Sequence, residues 1–126
     1  MPHDIRLAGP WDCSAADEDN WERCVLPFVV PAKAPGEIPI RIRRKFHKPS
    51  GVDNRTRLLL VVDGVPDLKS IQVNDSHIGA IRCVESTCEF DVSDKLADYN
   101  IVSIPLTGPG THVDAVTLRI EEPPTT

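Results

Sequence analysis

The side chains most able to do chemistry in this sequence are the carboxylates Glu85, Glu89, Asp91 and Asp94, clustered in one short stretch. Hydrolysis of a glycosidic bond needs two carboxyl groups about 5 to 9 Å apart across a cleft, one of them buried enough to stay protonated. Acidic residues this close in sequence, at the end of a strand, more often form turns and caps. Asp91 is expected to accept backbone hydrogen bonds at the turn into "SDKL". Nucleophilic catalysis finds no better footing. The histidines are His3, His47, His77 and His112; all fall in loops or near a terminus, and none belongs to a nucleophile motif such as G-x-S-x-G.

Metal chemistry has two openings. "SAADEDN" offers Asp17, Glu18, Asp19 and Asn20, the hard oxygen ligands that calcium takes, although a solvated acidic loop reads the same way. Cys13, Cys24, Cys83 and Cys88 are spaced C-x10-C and C-x4-C, which does not make the two tight knuckles of a structural zinc site. No metal and no cofactor is expected. The thiols are expected to be free; "VEST" is short enough for a hairpin turn, and if Cys83 and Cys88 face each other across it they come within reach of a bond under oxidising conditions.

Binding is the remaining chemistry. Sugar recognition uses an exposed aromatic ring beside groups that bond hydroxyls. Trp21, Phe46 and Phe90 match apolar phases or the core positions of the family whose motifs are set out below and are assigned to the core, which leaves Trp11 and Tyr99 as surface rings, with Phe28 unassigned. The loop "HKPSGVDNRT" brings His47, Asp53, Asn54 and Arg55, whose side chains donate to and accept from hydroxyls. The candidate ligand-binding set is therefore His47, Asp53, Asn54, Arg55 and Trp11; the competing reading makes Asp53-Asn54 an ordinary turn.

The elements that must hold these groups are strands. Ile38, Ile40 and Ile42 alternate with Pro39, Arg41 and Arg43; "RIRRKFHK" is read as the wet face and end of that strand. "RLLLVVDGV" is a continuous aliphatic run and predicts a central strand covered on both faces. Ile71 and Val73, then Cys88, Phe90 and Val92, then Val102, Ile104 and Leu106, then Val116, Leu118 and Ile120 each mark one apolar face. Twelve prolines break the helical windows, and the best helical candidate is one or two turns at "SDKLADYN". Turn signals at "DGVPD", "NDSHIG" and "TGPGTH" separate the runs. The pattern predicts one all-β domain over residues 1–126, a β-sandwich of jelly-roll type with about eight strands.

The order of motifs resembles the N-terminal sugar-binding domain of family 2 glycoside hydrolases, a galactose-binding-like jelly roll. "WERCVLP" is similar to the family's W-x-x-V-x-x-P, and "IRRKFHKP" to its strand ending in F-x-x-P. "LLLVVDGVPDLKSIQVNDSHIG" follows L-x-F-x-G-V-x-x-x-A-x-V-x-L-N-G-x-x-x-G through Gly64, Val65, Ile71, Val73, Asn74 and Gly79. "FDVSDKLADYNIVSI" follows F-D-V-T-x-L-L-x-x-x-N-x-L-x-V through Phe90, Asp91, Val92, Ser93, Leu96 and Asn100. Asn74-Asp75 replaces the family's Asn-Gly turn, and "AIRCVEST" replaces its aromatic-rich loop. The resemblance implies the fold and work beside carbohydrate enzymes. The family's catalytic glutamates lie on a separate barrel domain that these motifs do not include, so it implies no glycosidase activity.

The net charge of −5 argues against nucleic acid, which asks for a basic face. No apolar run approaches the roughly 20 residues that cross a bilayer, and no basic n-region precedes an apolar one, so neither membrane nor secretion is expected and the cytoplasm is the default, a trimmed secreted chain being the alternative. A non-catalytic accessory or binding module with a carbohydrate or a protein partner is the expectation. The alternative is a protein-interaction or structural β-sandwich without glycan affinity.

Overall fold

The computed structural model describes residues 3–15, 20–31, 40–52, 55–66, 68–108 and 110–121, with Ala15 as backbone only. The strands are β1 (His3–Arg6), β2 (Trp11–Ala15), β3 (Glu22–Cys24), β4 (Phe28–Val29), β5 (Ile40–His47), β6 (Arg57–Asp63), β7 (Ser70–Val73), β8 (Ser76–Gly79), β9 (Arg82–Val84), β10 (Thr87–Asp91), β11 (Tyr99–Leu106), β12 (His112–Val113) and β13 (Ala115–Glu121). Thirteen strands among the described residues replace the expected eight, because short edge pieces such as β4, β9 and β12 carry too few residues to show an alternation.

One sheet has the order β1-β13-β6-β10-β9, the other β3-β2-β5-β11-β7-β8, and β12-β4 form a separate ribbon. All pairings are antiparallel. The two sheets contribute to a single core, with Leu58, Leu60, Val62, Phe90 and Leu118 from the first and Ile42, Phe46, Ile71, Val102 and Ile104 from the second. This is the all-β sandwich that the alternation predicts.

Strand β6 confirms the reading of its aliphatic run. It lies between β10 and β13, and Leu58 to Val62 are all buried. Leu59 and Val61 lie outside the inter-sheet core and have Asp91, Arg119, Glu89 and Thr117 as cross-strand neighbours. On that face Arg119 pairs with Glu89 at 3.8 Å and Arg57 with Asp91 at 3.4 Å. Long charged side chains thus flank the second apolar surface.

The turn at Asn74-Asp75 has φ of 51° and 70°, the left-handed pair that a two-residue hairpin needs and that Asn and Asp tolerate. Gly64 ends β6 at φ 116°, as its position after the aliphatic run suggests. Gly79, matched to a family glycine, closes β8, and its backbone is ordinary. The "SDKL" segment is a turn, closed by Lys95 N–H donating to Val92 O at 3.0 Å, and the described residues contain no helix. Leu96 does pack against the core from there.

Candidate functional site

The outer face of the second sheet carries a groove. Because Ile40 and Ile42 point inward, Arg41 and Arg43 of β5 point out. The register then aligns polar residues across the whole sheet. Arg43 lies opposite Asp12 on β2 and Ser103 on β11; Ser103 lies opposite Gln72 on β7, and Gln72 opposite His77 on β8. Arg23 of β3 sits opposite Asp12 and pairs with it at 3.6 Å. One polar row therefore runs from edge to edge.

Trp21, just before β3, lies over this row. Its ring centroid is 3.7 Å from Arg43 Cζ and 5.3 Å from Arg41 Cζ, a double cation–π contact. Trp21, Arg41, Arg43, Gln72, Asn74, Asp75, Ile101 and Ser103 line a groove of about 320 Å³. The ring is half-buried. Arg41 Nε is buried without a hydrogen-bond partner, and among the described residues neither Arg41 nor Arg43 has a carboxylate within ion-pair distance. An unpaired buried donor costs free energy unless something meets it.

Trp11 is not a surface platform. It is fully buried and its indole N–H donates to Leu7 O at 2.9 Å. The first position of β2 faces the core, and a large amphipathic ring there satisfies its one donor locally. The roles of the two tryptophans are thus exchanged: Trp21, assigned to the core from the W-x-x-V-x-x-P motif, stands in the groove. Tyr99 is exposed as expected and meets the His47 ring edge-on at 4.9 Å. His47 lines a wider depression with Lys48, Pro49, Ser50, Gly51, Val52 and Asp98. Arg55 is exposed in the turn before β6, while Asp53 and Asn54 lie outside the described residues. Buried in the core, Trp11 cannot serve as the surface ring beside His47 and Arg55.

The carboxylates are spent structurally. Asp91 Oδ1 accepts from Ser93 N at 3.0 Å and from Ser93 Oγ at 2.6 Å, and Ser93 Oγ accepts from Leu58 N at 2.9 Å. Burial alone would raise the Asp91 pKa, but the Ser93 hydroxyl and amide and the Arg57 guanidinium outweigh it and hold it below the ordinary aspartate value. That is the opposite of what a general acid needs. Glu89 faces Arg119, and Glu85 sits exposed in a turn at φ 57°. His112 Nδ1 lies 2.9 Å from Asp114 Oδ1. No three His, Cys, Asp or Glu side chains converge on a metal-sized space among the described residues, and Asp17, Glu18 and Asp19 lie outside them.

Residues of the groove were legible as a wet face in the sequence: Arg41, Arg43, Gln72 and Ser103 all fall on polar phases. Their adjacency was not, because it depends on the order β5-β11-β7, which joins segments far apart in the chain.

No family model matches the chain, and no curated protein matches it. Solved structures do share the fold. A β-D-glucuronidase from Dictyoglomus thermophilum superposes with a TM-score of 0.76 at 12% identity, over 96% of this chain and 28% of that one. A putative β-galactosidase from Bacteroides fragilis gives 0.73 at 15% identity, over 96% and 23%. A β-D-mannosidase from Dictyoglomus thermophilum gives 0.66 at 20% identity, over 85% and 16%. The chain thus spans less than a third of each of these enzymes. Its fold is that of a β-sandwich domain within long glycosidases, and the resemblance to the sugar-binding domain of family 2 glycoside hydrolases holds at the level of the fold.

Proposed function

We propose that this chain is a non-catalytic binding module whose carbohydrate site is the groove at Trp21. One observation carries the reading: a tryptophan ring and a row of hydroxyl-bonding side chains share an exposed, shallow face of the second sheet. Amide, hydroxyl and guanidinium groups there match the donors and acceptors of a sugar. The fold shared with domains of glycosidases supports it. Against catalysis stands the lining itself, where Asp75 is the one carboxylate among the described residues and a glycosidase needs two.

A glycan array probed with the purified protein tests the reading, with Trp21→Ala as the comparison. Binding to a defined set of glycans, weakened at least tenfold in the variant, is expected. On aryl glycosides across a range of pH no turnover is expected; turnover that survives repurification and disappears in Asp91→Ala or Glu89→Ala overturns the non-catalytic reading.

A protein-interaction role has its own support at the opposite edge. Ile81 and Val84 are 48% and 49% exposed at β9, one of the two edge strands of the first sheet among the described residues. Pull-down through that edge, abolished by Val84→Lys but not by Trp21→Ala, separates this role from glycan binding.

A further inference from the structure

Trp21 does not offer a free ring to a neutral sugar. Arg43 Cζ stands 3.7 Å from the ring centroid, the distance of a guanidinium stacked on an indole, so the aromatic surface on that side is already covered. Stacking uses the flat face of the guanidinium and leaves its N–H donors, which lie in the plane, directed outward. The Arg41 guanidinium sits 5.3 Å from the same centroid, with Nε buried and unpartnered. Among the described residues, no acid lies within ion-pair distance of either arginine. Asp12, the cross-strand neighbour of Arg43, is engaged by Arg23 at 3.6 Å. Asp75 lies in the lining but within ion-pair distance of neither arginine. Among the described residues, one guanidinium at stacking distance from the indole and a second 5.3 Å from it share the groove with a single carboxylate, a local cationic fork on a chain of net charge −5.

We infer that the groove selects glycans bearing an oxyanion, a carboxylate or a sulfate ester, which Arg41 and Arg43 bind as forks while Gln72, Ser103 and Asn74 bond the ring hydroxyls. This rests on the proposal that the groove is a glycan site and adds the charge of the ligand. Bidentate guanidinium–oxyanion pairing is the strong, directional kind of hydrogen bonding, and the stacked indole holds the fork in place before the ligand arrives.

The test is calorimetric titration with three probes of equal length: an oligo-uronate, a sulfated oligosaccharide and an uncharged oligosaccharide. The variants are Arg41→Gln, Arg43→Gln and Arg43→Lys, with Arg82→Gln on β9 as a control outside the groove. Urea midpoints of each variant verify folding. The expected result is at least tenfold tighter binding of an acidic probe than of the neutral one. That preference falls at least tenfold in both Gln variants, falls in Arg43→Lys because the fork is lost while the charge remains, and stays in Arg82→Gln. Whether the uronate or the sulfated probe binds tighter identifies the oxyanion. Equal affinity for neutral and acidic probes, unchanged by Arg43→Gln, overturns this inference and leaves the glycan site standing. Acidic binding unaffected by both Gln variants moves the site elsewhere and overturns it too. Failure of every probe to bind overturns the glycan reading itself.

Discussion

The Asn74 side-chain amide donates to Asn100 Oδ1 at 2.7 Å, joining the β7–β8 turn to the start of β11. Asn74 Oδ1 in turn accepts from Ile101 N at 3.0 Å. Asn100 is fully buried, and its Oδ1 also accepts from Ala97 N at 2.8 Å while its Nδ2 donates to Ala97 O at 2.9 Å. Two asparagines 26 positions apart in the chain therefore close one network under the groove.

Asn100→Ala should cost about 2 to 4 kcal/mol, since it removes a fully buried amide that bonds Asn74 Nδ2, Ala97 N and Ala97 O at once. Asn74→Ala, at an exposed turn, should cost about 1 kcal/mol. The double variant should cost less than the sum, because both changes break one shared bond. Urea unfolding with an unchanged m-value measures all three; strict additivity would show that the network is not coupled.

Two glycines should behave in opposite ways. At Gly64, φ is 116°, and an added Cβ would sit 2.8 Å from Asp114 N and 3.0 Å from His112 O. Both are backbone atoms, and the ladder holds them: Asp114 N donates to Asp63 O at 2.8 Å and Gly64 N to Ser86 O at 2.7 Å. Gly64→Ala should lose about 2 to 4 kcal/mol through strain and displacement. At Gly79 the nearest atom to such a Cβ is Lys69 O at 3.9 Å and no unusual φ is required, so Gly79→Ala should stay within about 0.5 kcal/mol. Thermal melts of the two variants decide it, and equal losses would contradict the geometry.

The contrast between those glycines shows what a sequence can carry. Gly64 was readable because it ends an aliphatic run, where a turn must follow. Gly79 was matched to a family position, and a matched letter does not state a φ. The same distinction separates the tryptophans. Local alternation placed Ile42, Phe90, Val102 and Leu118 inward, and the structure buries all of them. Trp11 opens β2 and Trp21 just precedes β3, strands too short for alternation to assign a face, so their sides are set by tertiary packing. The groove depends on strand order, which is a property of the whole chain.

Asp91 should make stability depend on acid. Its pKa is lowered in the folded state, so the stabilisation it gives is complete above the unfolded value and disappears as pH falls through the lower folded one. The window is therefore below the ordinary aspartate value of 3.8. Asp91→Asn should be less stable than the parent near neutrality, and the two denaturation midpoints should converge as the pH is taken down through that window. Partial exposure of the Asp91–Arg57 pair keeps the effect modest and sensitive to salt. Parallel curves from pH 7 to pH 2 would assign the Asp91 contribution to something other than its charge.

The four cysteines should differ sharply in reactivity. Cys83 is exposed, Cys88 is buried, and Cys13 and Cys24 are half-buried on adjacent strands β2 and β3. Burial pushes the Cys24 thiol up to about 12, helped by the neighbouring Cys13, and burial also raises Cys13. The thiolate is the reactive form, so at pH 8 an alkylating reagent should modify Cys83 first and Cys24 far more slowly. A raised folded pKa also means that the stability contributed by protonated Cys24 is intact below the ordinary thiol value of 9.0 and declines as pH rises towards 12. Cys83 and Cys88 lie directly opposite each other in the β9–β10 register. Directly opposed strand residues have Cα atoms about 4.5 to 5.5 Å apart, inside the range a disulfide accepts. The Cys83 thiolate should therefore attack glutathione disulfide, breaking its S–S bond and releasing one glutathione, and the Cys88 thiolate then resolves the mixed disulfide with release of the second. Peptide mapping after timed labelling and oxidation reads both results. Cys24 labelling ahead of Cys83 would show that its thiol is neither buried nor raised, and a stable glutathione adduct on Cys83 with Cys88 still reduced would show that the pair does not close.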